Sequence, residues 1–195
     1  MTQTPLRVTS QDQHIVVSGT WEQFKSIQKG FEDSRGVRLF YYAGTIELLM
    51  PGREHEIFGH IVGCLLTLFL AKKGVFFQPT GAMTQEREGT VSAQADQSYC
   101  LGCTKPIPDL SIEVVFTSGG ANKLRRYQAL GVSEVWFWQD GVLSFYCLGI
   151  DGYEQRNCSQ FEELKDLDID LLKRCILIAE TDAGEAIRVF QQGIG

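Results

Sequence analysis

Two strand-like runs carry acids among apolar neighbours, and this limits the folds open to the 195-residue chain. Asp96 lies in Ala95-Asp96-Gln97-Ser98-Tyr99-Cys100-Leu101, while Asp109 and Glu113 lie in Ile107-Pro108-Asp109-Leu110-Ser111-Ile112-Glu113-Val114-Val115-Phe116. A carboxylate in such a run costs free energy unless it finds a hydrogen-bonding partner, a cation or the solvent edge. Side chains alternate along a strand, so Asp109, Ser111, Glu113 and Val115 share one face and Leu110, Ile112 and Val114 the other. If the strand holding Asp96 pairs with this one through a loop from Gly102 to Pro108, Asp96 comes beside Glu113. Two such acids suit Mg2+ or Mn2+, hard cations that take oxygen ligands and keep waters for hydrolytic chemistry. The same spacing also allows a purely structural outcome, with Asp96 and Asp109 at strand edges and Glu113 paired with Arg125 or Arg126.

The elements around these runs predict a mixed α/β domain. Thr20 and Gln23 form a capping-box pattern ahead of Trp21, Phe24, Ile27 and Phe31 at helical spacing. Val37 to Tyr42 and Thr45 to Met50 flank Ala43-Gly44 as a hairpin, and Glu54 to Lys73 reads as a long helix stopped by Gly74. Gly59 and Gly63 on that helix permit close packing. Strands are predicted at Val75 to Gln78, Gln94 to Leu101 and Leu110 to Phe116, then a short helix capped by Asn122 and ending at Gly131. Asp140-Gly141 joins a hairpin of Glu134 to Gln139 and Val142 to Leu148. A strand near Tyr153 to Cys158 and a helix from about Asp182 to Gln192 follow. With no linker or repeat, residues 1–195 read as a single domain.

Several function classes find no support. A net charge of −6 argues against a generally basic nucleic-acid coat, leaving only local patches such as Lys123, Arg125 and Arg126, or Lys72 and Lys73. No secretory signal opens the chain, the apolar stretch from Ile57 to Ala71 is short for a bilayer, and the six scattered cysteines read as reduced thiols. A cytoplasmic protein without membrane association is expected. His55 and His60 stand five apart, roughly 140° around a helix, so they do not make a zincin pair. Cys100 and Cys103 lack a second zinc-binding pair, and Ser118 lacks a downstream histidine for a triad. No Gly-rich nucleotide loop follows a strand, so no organic cofactor is expected. Trp136 and Trp138 share a strand face opposite Phe137, which fits burial on both sides or a subunit contact in a homodimer.

The blocks Asp96 to Tyr99, Ile-Pro-Asp-Leu-Ser-Ile-Glu-Val, Thr-Ser-Gly-Gly, Lys-Leu-Arg-Arg-Tyr and Leu-Gly-Val-Ser-Glu-Val-Trp-Phe-Trp resemble the Uma-two-type group of the PD-(D/E)XK nuclease superfamily. The resemblance runs over most of the chain, from Trp21 to Leu172. It implies a restriction-endonuclease-like core, a mixed central sheet flanked by helices, and metal-dependent hydrolysis of DNA phosphodiesters. It also implies Asp96 and Glu113 as metal ligands, with the Val114 carbonyl as a further ligand and Asp109 as an outer acid. Where the superfamily places a lysine, this chain has Val115, which can neither orient water nor stabilise developing charge. Lys123, in the first turn of the next helix, is the candidate to reach back, against the alternative of a solvated helix lysine. Glu54 and His55 are the first-helix candidates, although an acid there is also favourable at a helix N-terminus. The competing expectation is a nuclease scaffold that binds nucleic acid or protein without catalysis.

Overall fold

The computed structural model describes residues 11–34, 36–116 and 120–195. The chain is mixed α/β, with two sheets and five α-helices among the described residues. In chain order the elements are β1 (Gln13–Ser18), α1 (Trp21–Gly30), β2 (Arg38–Tyr42), β3 (Thr45–Met50), α2 (Arg53–Lys73), β4 (Phe77–Pro79), β5 (Thr84–Arg87) and β6 (Val91–Gln94). They continue with β7 (Gln97–Leu101), β8 (Leu110–Val114), α3 (Gly120–Leu130), β9 (Glu134–Gln139), β10 (Val142–Leu148), β11 (Tyr153–Arg156), α4 (Ile169–Ile178) and α5 (Ala183–Gly193), with a 3-10 turn at Glu162–Leu164 before α4.

Local chemistry explains many of these elements. The Thr20 side chain accepts from the Gln23 amide while Gln23 bonds back to the Thr20 amide, which closes the capping box of α1. Ala43 with Gly44, and Asp140 with Gly141, all take positive φ, the conformation a two-residue hairpin turn needs to match strand twist. Gly74 stops α2 in the left-handed conformation.

The first sheet runs β1-β3-β2-β6-β5 and the second β11-β10-β9-β8-β7-β4. Pairing is antiparallel except between β8 and β9, whose parallel alignment is made by the crossover through α3. The chain leaves the first sheet at Gln94 and enters the second at Gln97, so Ala95 and Asp96 form the step between them. The expected strand from Gln94 to Leu101 is therefore broken at the acid it carries.

The second sheet is covered on both faces, which is why β8 and the centre of β9 are buried throughout. On one face Tyr99, Leu110, Ile112, Val114, Trp136 and Trp138 pack with α2, α4 and α5; on the other Val115, Val135 and Phe137 meet Phe40, Leu49, Val91, Tyr127 and Leu130. A third cluster joins α1 to the first sheet through Trp21, Phe24, Tyr41 and Ile46. Trp136 and Trp138 are thus core residues, not a subunit contact, and the sequence basis for a homodimer falls away. Helix α2, at 21 residues, is long and apolar enough to cross a membrane by composition, but its apolar face is built into this core.

Three further differences have physical causes. Strand β1 was not expected because it is an edge strand with every residue exposed, so it carries no alternating pattern. Helix α4 lies outside the expected elements although it carried a legible signal, with Leu171, Leu172, Cys175 and Ile176 at helical spacing and Asp168 capping it through the Leu171 amide. Helix α3 begins at Gly120, so Asn122 lies within its first turn and is not its cap. Ser118 lies outside the described residues.

Candidate active site

Asp96, at the step between the sheets, is buried and its carboxylate is fully engaged. One oxygen accepts from the Val114 backbone N–H at the end of β8. The other lies 2.8 Å from His55 Nε2 and in contact with the Arg38 guanidinium. Arg38 opens β2 and reaches across, donating to Glu56 on α2 at 2.9 Å and to His55 Nε2 at 3.1 Å. His55 sits in the first turn of α2, with Nδ1 at 2.8 Å from Asp12, whose second oxygen accepts from the Gly52 amide at 2.7 Å and so fixes the helix entry.

Burial pushes the His55 pKa down, and the charges of Arg38 and Lys123 add to this against the opposing pull of Asp12. A neutral imidazole has one N–H donor. Both ring nitrogens face carboxylate oxygens at 2.8 Å, Nδ1 toward Asp12 and Nε2 toward Asp96, so a neutral ring donates to one of them and turns its lone pair toward the other.

Glu113 turns to the opposite face of β8 and is also buried. Lys123 and Tyr127, one helical turn apart on α3, both donate to it, Lys123 at 2.5 Å and Tyr127 through its hydroxyl. Burial pushes the Glu113 carboxyl up, but the Lys123 charge and hydrogen bond, the Tyr127 hydrogen bond and the Arg126 charge outweigh it and hold the group below its usual value. Burial and the adjacent Glu113 charge raise Tyr127 well above the ordinary phenol, so it remains a donor. The expected partner of Glu113, Arg125 or Arg126, is replaced by Lys123, while Arg126 faces Glu47 on β3 at 3.1 Å.

One step beyond the Gln97–Ile112 pair, the register sets Asp96 opposite Glu113, and the Asp96 amide donates to the Ile112 carbonyl at 3.0 Å. Their carboxylates nevertheless have different partners, Asp96 toward α2 and Glu113 toward α3. The expected pairing does bring Asp96 beside Glu113 in register, but Asp96 lies at a bend just before β7, and its carboxylate turns away to its own partners. Their partners His55 and Lys123 line one cleft, together with Asp12, Glu47, Val115 and Arg126.

Two candidate residues lie elsewhere. Asp109 is at the other end of β8, about 13 Å from Glu113 by strand rise. It accepts from Lys105 at 2.6 Å and from the Leu101 amide at 2.8 Å, pinning the β7–β8 loop, so it is no outer acid of the site. Glu54 is exposed and lines a separate depression with Arg53, Ile57, Phe58 and Glu180. The acid that α2 does connect to the site is Glu56, through Arg38.

Sequence reasoning did not single out Asp12, Arg38 or Tyr127. Tyr127 had a legible signal, its position four residues after Lys123 on the same helix face. Asp12 and Arg38 come from distant segments, and no local pattern marks them.

Among the described residues no three His, Cys, Asp or Glu side chains are grouped to hold a metal ion. A magnesium ion asks for less, because it binds through one or two carboxylates and keeps several waters. Asp96 and Glu113 offer the hard oxygen donors such an ion takes, now compensated by Arg38 and Lys123. The donor set therefore fits Mg2+ or Mn2+ by chemistry, provided those two long cationic side chains yield.

A family model, Uma2, described as "Putative restriction endonuclease", matches residues 21–174, and the chain belongs to that family. Among solved structures, one described as a "putative nuclease belonging to DUF820" from Anabaena variabilis ATCC 29413 is similar over 60% of this chain and 75% of its own, at 14% identity and a TM-score of 0.47. No curated protein matches the chain significantly.

Proposed function

We propose that this chain is a divalent-metal-dependent endonuclease that hydrolyses DNA phosphodiester bonds. The observation that carries the reading is Lys123: an ammonium delivered from α3 onto Glu113 at 2.5 Å replaces the strand lysine that Val115 denies. Asp96 and Glu113 would hold Mg2+ or Mn2+, with the Val114 carbonyl as a further donor. When bound, such an ion lowers the pKa of a coordinated water and offsets charge on the phosphoryl oxygens.

The chain's own residues supply the rest. Lys123 presents positive charge where the phosphate gains negative charge. His55, oriented by Asp12 and Asp96 and with its pKa lowered by burial, offers one ring nitrogen as a proton acceptor in its neutral form. Tyr127 stays protonated and fixes the Glu113 rotamer.

Calorimetric titration with Mg2+ and Mn2+ on the wild type and on the double variant Asp96→Ala, Glu113→Ala tests the metal site. Equal binding by both proteins would refute it. Cleavage of plasmid and single-stranded DNA, with Lys123→Ala as control, tests the chemistry. A second reading, a nuclease scaffold that binds nucleic acid or protein without cutting, is favoured by Val115 and by acids already compensated by Arg38 and Lys123. Metal binding without any cleavage would support it.

A further inference from the structure

We infer that Arg126 forms an anion subsite that receives one non-bridging phosphate oxygen of the substrate, an assignment that rests on the phosphodiester reading above. Arg126 projects from the face of α3 that carries Lys123 and Tyr127, and its side chain is only 4% exposed. Its guanidinium lies over the Phe40 ring, with Cζ 4.5 Å from the centroid. Nη1 stands 3.1 Å from Glu47 Oε2, in an alignment that makes no hydrogen bond, and among the described residues it has no other hydrogen-bond partner. The same Glu47 oxygen already takes His14 Nε2 at 3.2 Å.

A buried charged donor left without an acceptor is costly, so its presence calls for an occupant. The unfulfilled atom is a donor, which selects an anion or a water over a metal cation. Stacking on Phe40 fixes the guanidinium plane beforehand, so little freedom is lost when a ligand arrives. The cleft as a whole has room for about 20 Å³, enough for a single oxygen atom and too little for a whole phosphate group. A phosphodiester held at the mouth can insert one non-bridging oxygen, and phosphate oxygens are the acceptors that arginine serves best. Lys123, lining the same cleft, adds positive charge beside that oxygen.

The test uses the full chain, EDTA and inorganic phosphate as the probe, read by calorimetry. Wild type should bind phosphate saturably, and Arg126→Gln should weaken binding by about tenfold or more, the loss of one charged hydrogen bond. Because a buried arginine variant can misfold, Glu47→Gln is the second arm. It removes the competing carboxylate and should tighten phosphate binding, a gain that misfolding does not produce. Absence of saturable binding in the wild type, or binding that neither variant alters, would overturn the subsite and leave the cleft to a buried water. DNA cleavage by wild type alongside such a result would preserve the nuclease reading without the subsite. Phosphate binding that responds to both variants, without cleavage, would preserve the subsite and sink the nuclease.

Discussion

Replacing Lys123 with methionine removes the cation from a fully buried carboxylate while keeping most of the side-chain volume. Breaking one side of a buried pair costs about 3–5 kcal/mol. Glu113 retains the Tyr127 hydrogen bond and the nearby Arg126 charge, which places Lys123→Met at the low end, about 3 kcal/mol. At about 2–4 °C per kcal/mol for a domain of this size, the melting temperature at pH 7 should fall by about 6–12 °C. The pH dependence carries the sharper signature. In the wild type Glu113 is held below 4.5, so the stability it contributes is present above that pH and is lost as the pH falls through the depressed value. Without Lys123, burial pushes the carboxyl up, so the variant should regain stability relative to wild type as acidification protonates Glu113. Thermal melts of both proteins between neutral pH and mild acid measure this. A variant melting within about 2 °C of wild type at pH 7, with an unchanged pH slope, would refute the pairing.

Two further outcomes follow from neighbouring groups. Asp109→Ala should cost about 1–2 kcal/mol by unpairing the Leu101 amide and freeing Lys105, measured by denaturant unfolding, and should leave Mg2+ binding unchanged, because this acid lies at the far end of β8. His55 should titrate below 6.5 in ring-nitrogen NMR spectra, so its contribution to stability persists above that pH and is lost on acidification. A midpoint above 6.5 would contradict the dominance of burial over Asp12.

Much of the architecture could be read from local chemistry. The Thr20 capping box, the Ala43-Gly44 and Asp140-Gly141 turns and the Gly74 stop depend on residues close in sequence, and each stands where its pattern predicts. Strand β1 depends on tertiary placement instead, as an exposed edge, whereas helix α4 carried a local signal in its Asp168 cap and the helical spacing of Leu171, Leu172, Cys175 and Ile176. The site divides the same way. The positions of Asp96, Glu113 and Lys123 around the end of β8 follow from strand and helix spacing. Arg38 and Asp12 reach Asp96 and His55 across elements that no short-range pattern connects, and Glu56, not Glu54, is the α2 acid that Arg38 engages.

Helix α2 meets the step between the sheets through its two glycines. A methyl group at position 59 would rest 3.4 Å from Asp96 Cβ, and one at position 63 would press to 2.6 Å from Gln97 Cδ. Neither glycine takes part in the chemistry, yet both set how far Asp96 stands from the helix that carries His55. Alanine at 59 would sit in ordinary contact, whereas valine or leucine would shift the acid itself. A library selected only for folding should therefore accept small residues at 59 that a library selected for the proposed activity discards, and comparing the two would test the role proposed for Asp96 without mutating it.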